Sequence, residues 1–509
     1  MGTGDRDRYL DLLRGGSIVA VVVGHWLVAD LTYTGGELHL HSSLGEVPAM
    51  WPLTWVFQVI PVFFFVAGAV NGPSWVRSRD RGDSYARYID RRVRRVLVPT
   101  TVAVILILAT AGLLAWLGDA GVSGAGAMVL QPLWFLGVYL ALVALTPWTW
   151  SWHRRLGSWL LALLLAVAVV SDVGRVGFGH ETAGYVNVLV VWLLVYVIGY
   201  WYADAALTRA RAGLMSVVGL IALLVLVTVG PYPLRMVGVP GDRLSNMHPP
   251  TLAVLALALL QIGLLVLVKP TVTPWLRRPL VWAGVVWVNL SILTMYLWHQ
   301  FALVAAGRLL LATGMRQPDP GHAGWWAMRV GWLLIAGLVL VGIVALLGRF
   351  ERLAPVEVTQ RTWTSTPAAI TVVGLLFAGL LGLAGTRVTE TVASQHPLGL
   401  PLSPTVAASL VVAAALVLHA DRRGPSRAAG ALLLGSAMEA VLAVAYLTGF
   451  AFLPTSAAVA ATCAVLGVVL VGLALLTRSV GGAGDPPLTR ASVGPPATSG
   501  RRSARRREA

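Results

Sequence analysis

The 509-residue chain holds a single cysteine, Cys463, and a single lysine, Lys269. One cysteine excludes an internal disulfide and any cysteine-ligated metal cluster. Charge is scarce as well: 12% of residues are Asp, Glu, Lys or Arg, where a soluble protein carries about a quarter. There is no alternating ten-residue pattern of the kind a membrane β-barrel needs, and no internal repeat is visible. The first apolar run lacks a small-residue cleavage site and continues as a full span, so no cleavable signal peptide is expected. What remains is apolar: 57% of residues are hydrophobic and the mean hydropathy is +0.77. Several segments run for roughly 20 apolar residues, the length of a helix that crosses a bilayer. The expected fold is all-α, a polytopic transmembrane helical bundle. The bias to arginine with heavy Ala, Gly, Val and Leu suits a bacterial inner (plasma) membrane.

Spans are expected at 10–31, 51–71, 96–117, 132–150, 156–171, 185–202, 213–230, 250–268, 280–306, 325–347, 367–385, 405–420, 428–449 and 456–477, about fourteen helices. With the N-terminus cytoplasmic, thirty Arg and Lys fall in inside segments, six fall outside, and Arg14 and Arg329 lie within spans. This asymmetry over mostly short loops follows the positive-inside rule and puts both termini in the cytoplasm. It also accounts for the net charge of +16 without nucleic acid as a partner. Six of the ten histidines fall outside, His39, His41, His180, His248, His322 and His396, with Glu37, Glu46, Asp172, Glu181, Asp242 and Asp319. Singly these are ordinary solvated loop residues; together they form a hydrogen-bonding surface suited to a polar ligand. The polar break "RFERLAPVEVTQRTWTST" divides the chain. Residues 1–348 form a ten-helix core, 349–366 a cytoplasmic linker, 367–478 a four-helix membrane region, and 479–509 a Gly/Pro/Ser-rich, then basic, disordered tail.

The first span, "YLDLLRGGSIVAVVVGHW", carries Arg14 and His25, both costly in lipid. Eleven positions at about 100° each bring the two side chains to one face, about 16 Å apart along the axis. Asp11, three before Arg14, can hold the guanidinium. Taken alone, Arg14 can snorkel to headgroups and His25 can bond another helix. On one stripe they point to a polar channel, with histidine the group to take a proton near neutral pH.

These residues resemble the opening of the acyltransferase-3 family of integral membrane acyltransferases, in which Arg, ten residues and His mark the first helix. Further segments are similar, in family order. "PVFFFVAGAVNG" (61–72) looks like its second helix, with Ala67 where Ser is common. "YIDRRVRRVLVP" (88–99) resembles its basic run, with Arg91/Arg94 and Arg92/Arg95 both fitting Arg-x-x-Arg. "PLWFLGVYL" (132–140) is similar to its Leu-Trp-Phe-Leu signature. "SNMHPPTLAVLALALLQIGLL" (245–265) looks like an actinobacterial variant, and "NLSILTMYLWHQ" (289–300) resembles its late Ser…Tyr-Leu-x-His helix. The resemblance covers about 9–347; the last four helices stand outside it.

The resemblance implies transfer of an acyl group, often acetyl, from cytoplasmic acyl-CoA as co-substrate to a hydroxyl of an extracytoplasmic carbohydrate or glycolipid, with no bound cofactor and no metal. His25 would be the base and Arg14 would bind or orient the donor. Arginines suit the CoA phosphates, and Arg91, Arg92, Arg94 and Arg95 abut the membrane; the same charges also serve as a topological stop signal. Trp134 is either an acceptor-side residue or an interfacial anchor. Tyr296 and His299 share a face and would line the acceptor side, support His25 or pack the core. Direct transfer and an acyl-histidine intermediate both remain open. A transporter or flippase for a lipid-linked sugar or anionic solute is the competing reading, without the repeated halves such proteins often show.

Overall fold

The computed structural model describes residues 7–34, 37–117, 128–239, 242–313, 318–353 and 366–384. Besides two short α-helical turns, the helices are α1 (Arg8–Val28), α2 (Ile60–Asp80), α3 (Tyr85–Trp116), α4 (Leu133–Leu156), α5 (Ser158–Asp172), α6 (Asn187–Ala203), α7 (Arg209–Thr228), α8 (Leu252–Val272), α9 (Pro279–Leu290), α10 (Ile292–Ala312), α11 (Ala323–Leu353) and α12 (Thr366–Ala384). Among the described residues seven segments are long and apolar enough to cross a membrane, and the bent pair α9–α10 makes an eighth. The protein is thus an almost wholly helical membrane bundle. The expected spans at 405–420, 428–449 and 456–477 lie outside the described residues, as does most of the 349–366 segment, although α11 runs on to Leu353.

α1 stands centrally, packed on α2, α9 and α10. Asp7 caps it by accepting from the Tyr9 N–H at 3.0 Å, the usual way of satisfying an orphan donor of the first turn. The same carboxylate accepts from Lys269 Nζ and Tyr202 Oη, each at 2.8 Å. Burial acts to raise the Asp7 carboxyl, but these bonds outweigh it and hold the group below its ordinary value. The lone lysine therefore ties the start of α1 to α6 and α8. Two further helices touch backbone to backbone. A Cβ on Gly68 of α2 would lie 1.9 Å from the Tyr196 carbonyl oxygen, and one on Gly199 of α6 would lie 2.2 Å from that of Phe65. Small residues permit such contact where lipid gives helices no hydrophobic reason to associate.

Two departures from the expected spans matter for the site. First, α1 stops at Val28, and Ala29–Thr34 pairs antiparallel with Glu37–Ser42, Ala29 opposite Ser42 and Thr34 opposite Glu37. A two-stranded hairpin thus crowns one end of the bundle, termed the hairpin end; the opposite end, with the arginine-rich turn between α2 and α3, is termed the basic end. Second, the single helix expected at 280–306 is two helices meeting at 73°. No Pro or Gly marks the break. Its freed backbone groups find partners elsewhere: the Leu293 and Thr294 N–H groups donate to Glu351 at 3.0 and 2.9 Å, and Asn289 Nδ2 donates to the Val285 carbonyl at 2.8 Å. A helix can break at membrane depth only where protein supplies such partners.

Candidate active site

At the basic end a cavity of about 300 Å³ opens between α1, α2, α3 and α4. Arg14, Arg81, Arg91, Arg92 and Arg95 line it with Asn71, Ser74, Ser78 and Tyr139, and Phe63, Val66, Ala67, Val70 and Val96 complete the wall. The arginines are held by distinct partners. Arg92 donates to Ser74 Oγ at 2.8 Å, Asn71 Oδ1 at 3.3 Å and the Tyr88 carbonyl at 3.1 Å, and lies 3.6 Å over the Tyr88 ring. Arg91 donates to Asp83, which also accepts from Ser78 at 2.9 Å and from Arg81 and Arg87 at 3.3 Å each. Burial acts to raise the Asp83 carboxyl; the bonds from Arg91 and Ser78 overcome it and hold it at about 2, so it stays an anion that organises the cluster. Arg94 is different. Its Nε lies 2.7 Å from both oxygens of Asp90, and it is not among the lining residues. Of the two Arg-x-x-Arg pairs, Arg92/Arg95 therefore places both members on the cavity, and Arg91/Arg94 places one.

Arg14 reaches this cavity from α1. Its Nε donates to Asn289 Oδ1 at 2.6 Å, and its guanidinium lies 3.6 Å from Asp11, as the three-residue spacing suggested. Asn289 in turn donates to the Asp11 carbonyl at 2.9 Å. Gly15 leaves room for this bond, since a Cβ there would lie 3.0 Å from Asn289 Nδ2.

His25, nearly three turns further along α1, meets α10. Its Nδ1 lies 2.8 Å from His299 Nε2, and the two rings stack 5.0 Å apart at 17°. His299 is fully buried. Its other nitrogen, Nδ1, lies 2.6 Å from the Tyr296 carbonyl oxygen. A carbonyl only accepts, so His299 carries its proton on Nδ1 and offers a lone pair at Nε2. For a neutral pair, His25 must then donate from Nδ1, which leaves the basic lone pair on Nε2. The side-chain amide of Gln300 also faces this nitrogen: its Nε2 lies 3.2 Å from His25 Nδ1, while its Oε1 has no partner among the described residues. Exchanging the two amide atoms turns the oxygen onto the His25 N–H. His25 Nε2 has no partner among the described residues.

Rings connect the cavity to this pair. Phe63 on the cavity wall packs 4.8 Å from Phe135, Phe135 5.3 Å from Tyr296, and Tyr296 5.8 Å from His299. His25 itself is not a cavity wall residue; the rings of Phe63, Phe135 and Tyr296 stand between that wall and the imidazole pair. The Tyr296 hydroxyl donates to the Pro132 carbonyl. Trp134 is buried against Phe135, Trp192 and His248, which removes the reading as an exposed interfacial anchor. His248, in the loop before α8, sits beside Trp134; burial, then the charge of Arg175, lowers its imidazole to about 4.

A basic cavity at one end, a histidine with a directed lone pair beyond it, and a membrane bundle around both describe an enzyme more readily than a pore. A family model described as an acyltransferase domain matches residues 7–348. The chain belongs to the acyltransferase-3 family. Among curated proteins and solved structures no match is found.

The acyltransferase match ends inside α11, yet α12 packs against α4: a Cβ on Gly137 would meet Leu381 at 2.8 Å and the Phe377 carbonyl at 3.3 Å. The first helix beyond the acyltransferase domain is thus seated on the helix that carries Trp134, Phe135 and Tyr139. Sequence reasoning missed Asn289, Gln300, Asn71 and the cavity role of Arg81. Asn289 and Gln300 were detectable as polar residues in otherwise apolar helices; Arg81 was not distinguishable from its neighbours in a basic turn.

Proposed function

We propose that this membrane acyltransferase moves an acyl group, acetyl in the simplest case, from cytoplasmic acyl-CoA to a hydroxyl of an extracytoplasmic carbohydrate or glycolipid. The observation that carries the reading is the pairing of an arginine-lined cavity with a histidine whose Nε2 is fixed as the acceptor. In this reading the basic end faces the cytoplasm, and Arg91, Arg92, Arg95 and Arg81 receive the CoA phosphates. Arg14 meets the pantetheine arm or the acyl group. Arg94, occupied by Asp90, stands off the cavity wall.

The thioester then has to pass Phe63 and Phe135 to reach His25, about 16 Å along α1 from Arg14. The acceptor enters from the hairpin end. His25 Nε2 takes the hydroxyl proton as the oxygen attacks the thioester carbon. The tetrahedral intermediate collapses with cleavage of the carbon–sulfur bond, and the CoA thiolate takes the proton back from His25. The products are ester and free CoA thiol. The donation from His25 Nδ1 to His299 Nε2 stabilises the imidazolium as it forms, an orienting role analogous to the third group of a catalytic triad. Membranes supplied with labelled acetyl-CoA test the reading. Wild type releases thiol and labels an envelope glycan or glycolipid; His25→Ala does neither. Thiol release that persists in His25→Ala refutes the catalytic assignment, and a wild type that transports a sugar without consuming thioester refutes the enzyme.

A further inference from the structure

The break between α9 and α10 is capped from a distance. Ser291 precedes the first residue of α10, where a serine hydroxyl would ordinarily accept from an N–H of the first turn. Instead the carboxylate of Glu351, near the end of α11, takes the Leu293 N–H at 3.0 Å, the Thr294 N–H at 2.9 Å and the Thr294 hydroxyl at 2.7 Å. Glu351 lies three residues beyond the acyltransferase match, which ends at 348. Burial raises its carboxyl, with the three bonds from Leu293 and Thr294 and then the charge of Arg14 opposing that. The cap thus comes from another helix although a serine stands at the local capping position.

The first turn of α10 has a specific dependant. His299 is oriented by the Tyr296 carbonyl, and Tyr296 follows that turn directly. Thr294 is five residues from His299, about 7.5 Å along the axis. If the orphan N–H groups of Leu293 and Thr294 lose their partner, the turn frays from its end toward the carbonyl that fixes the His299 tautomer. The Trp26 indole N–H also donates to the His299 carbonyl at 2.9 Å, so displacement of α10 moves α1 and the His25 ring with it.

We propose that Glu351 is a positioning residue: its carboxylate caps the first turn of α10 and so holds Tyr296 and His299 in register with His25. The proposal rests on His25 as the base. It places a determinant of the active site outside the acyltransferase domain, on the far side of a broken span.

Two measurements on the purified full-length protein test it, with Glu351→Ala and Glu351→Gln. Hydrogen exchange over 292–300 reads the cap whatever the chemistry: it accelerates in Glu351→Ala and less in Glu351→Gln, whose amide oxygen can still accept one bond. Thiol release from acetyl-CoA across pH reads the consequence. In Glu351→Ala kcat falls on the order of tenfold, the effect of a lost cap on the transition state. KM for acetyl-CoA stays within about twofold, and the limb of the pH–rate profile that reports the base shifts. Unchanged exchange overturns the proposal. So does a rise in KM with kcat and the pH profile unchanged, which would make Glu351 a donor-side residue acting through Arg14. A wild type that releases no thiol defeats the acyltransfer reading instead, and exchange alone then decides for or against the cap.

Discussion

Replacing His299 by Phe keeps a flat ring in a fully buried position and removes one lone pair. In the native site the His25 N–H is satisfied by His299 Nε2 at 2.8 Å; in the variant that donor is left with at most the Gln300 amide. A buried donor deprived of its partner costs about 1–3 kcal/mol. The cost grows as His25 becomes an imidazolium, so it falls on the transition state and predicts a kcat lower by roughly 5- to 150-fold. KM for acetyl-CoA should change little, because His299 is remote from the cavity arginines. His299→Gln should recover part of the loss, since its amide oxygen can accept the same proton. The assay is steady-state thiol release from membranes or purified enzyme, with protein quantity matched by immunoblot. A His299→Phe enzyme with wild-type kcat would refute the tautomer argument, and one with a raised KM alone would relocate His299 to donor binding.

The two Arg-x-x-Arg pairs should separate in kinetics. Arg92→Ala removes bonds to Ser74 and Asn71 on the cavity wall and should raise KM for acyl-CoA at least several-fold, whereas Arg94→Ala, whose side chain is occupied by Asp90, should raise it less; equal effects would argue against the cavity as the donor site. The neutral imidazole of His248, held at about 4 when folded against 6.5 unfolded, makes the unfolded chain the better proton binder in that interval. The stability it contributes is present above about 6.5 and lost as pH falls toward about 4, so thermal shift in detergent should show acid sensitivity in the wild type that flattens in His248→Phe. Gly68→Ala forces a methyl to within 1.9 Å of the Tyr196 carbonyl and should cut the yield of folded protein, measured by monodisperse recovery in detergent; normal yield and melting would mean that α2 and α6 separate freely.

Much of the bundle was legible because lipid demands long apolar runs. The start of α1, the run of α5 and the placement of Arg14 and His25 on one stripe follow from composition and helical arithmetic. The stripe is visible in the partners: Arg14 meets Asn289 and His25 meets His299, successive parts of the same broken span. The break itself was not legible. "NLSIL" is free of Pro and Gly, and the partner that satisfies the break is Glu351, more than fifty positions away. The division of labour among Arg91, Arg92, Arg94 and Arg95 was likewise hidden, since it depends on where Asp83 and Asp90 fall around a helix and not on the charges themselves. Trp134 read as either an acceptor-side residue or an interfacial anchor because it opens the fourth span on the outer side; the packing of α6 and of the His248 loop against it shows it to be interior.

The 73° elbow between α9 and α10 has a consequence for the insulating thickness of the protein. A straight helix would separate polar groups at its two ends by the full hydrocarbon layer of about 30 Å. Here Asn289 and Ser291 sit at the elbow, and from Ser291 to His299 is eight residues, about 12 Å of helix. The dielectric partition between the arginine-bearing vestibule and the imidazole pair is therefore about half a bilayer thick, with the rings of Phe63, Phe135 and Tyr296 within it.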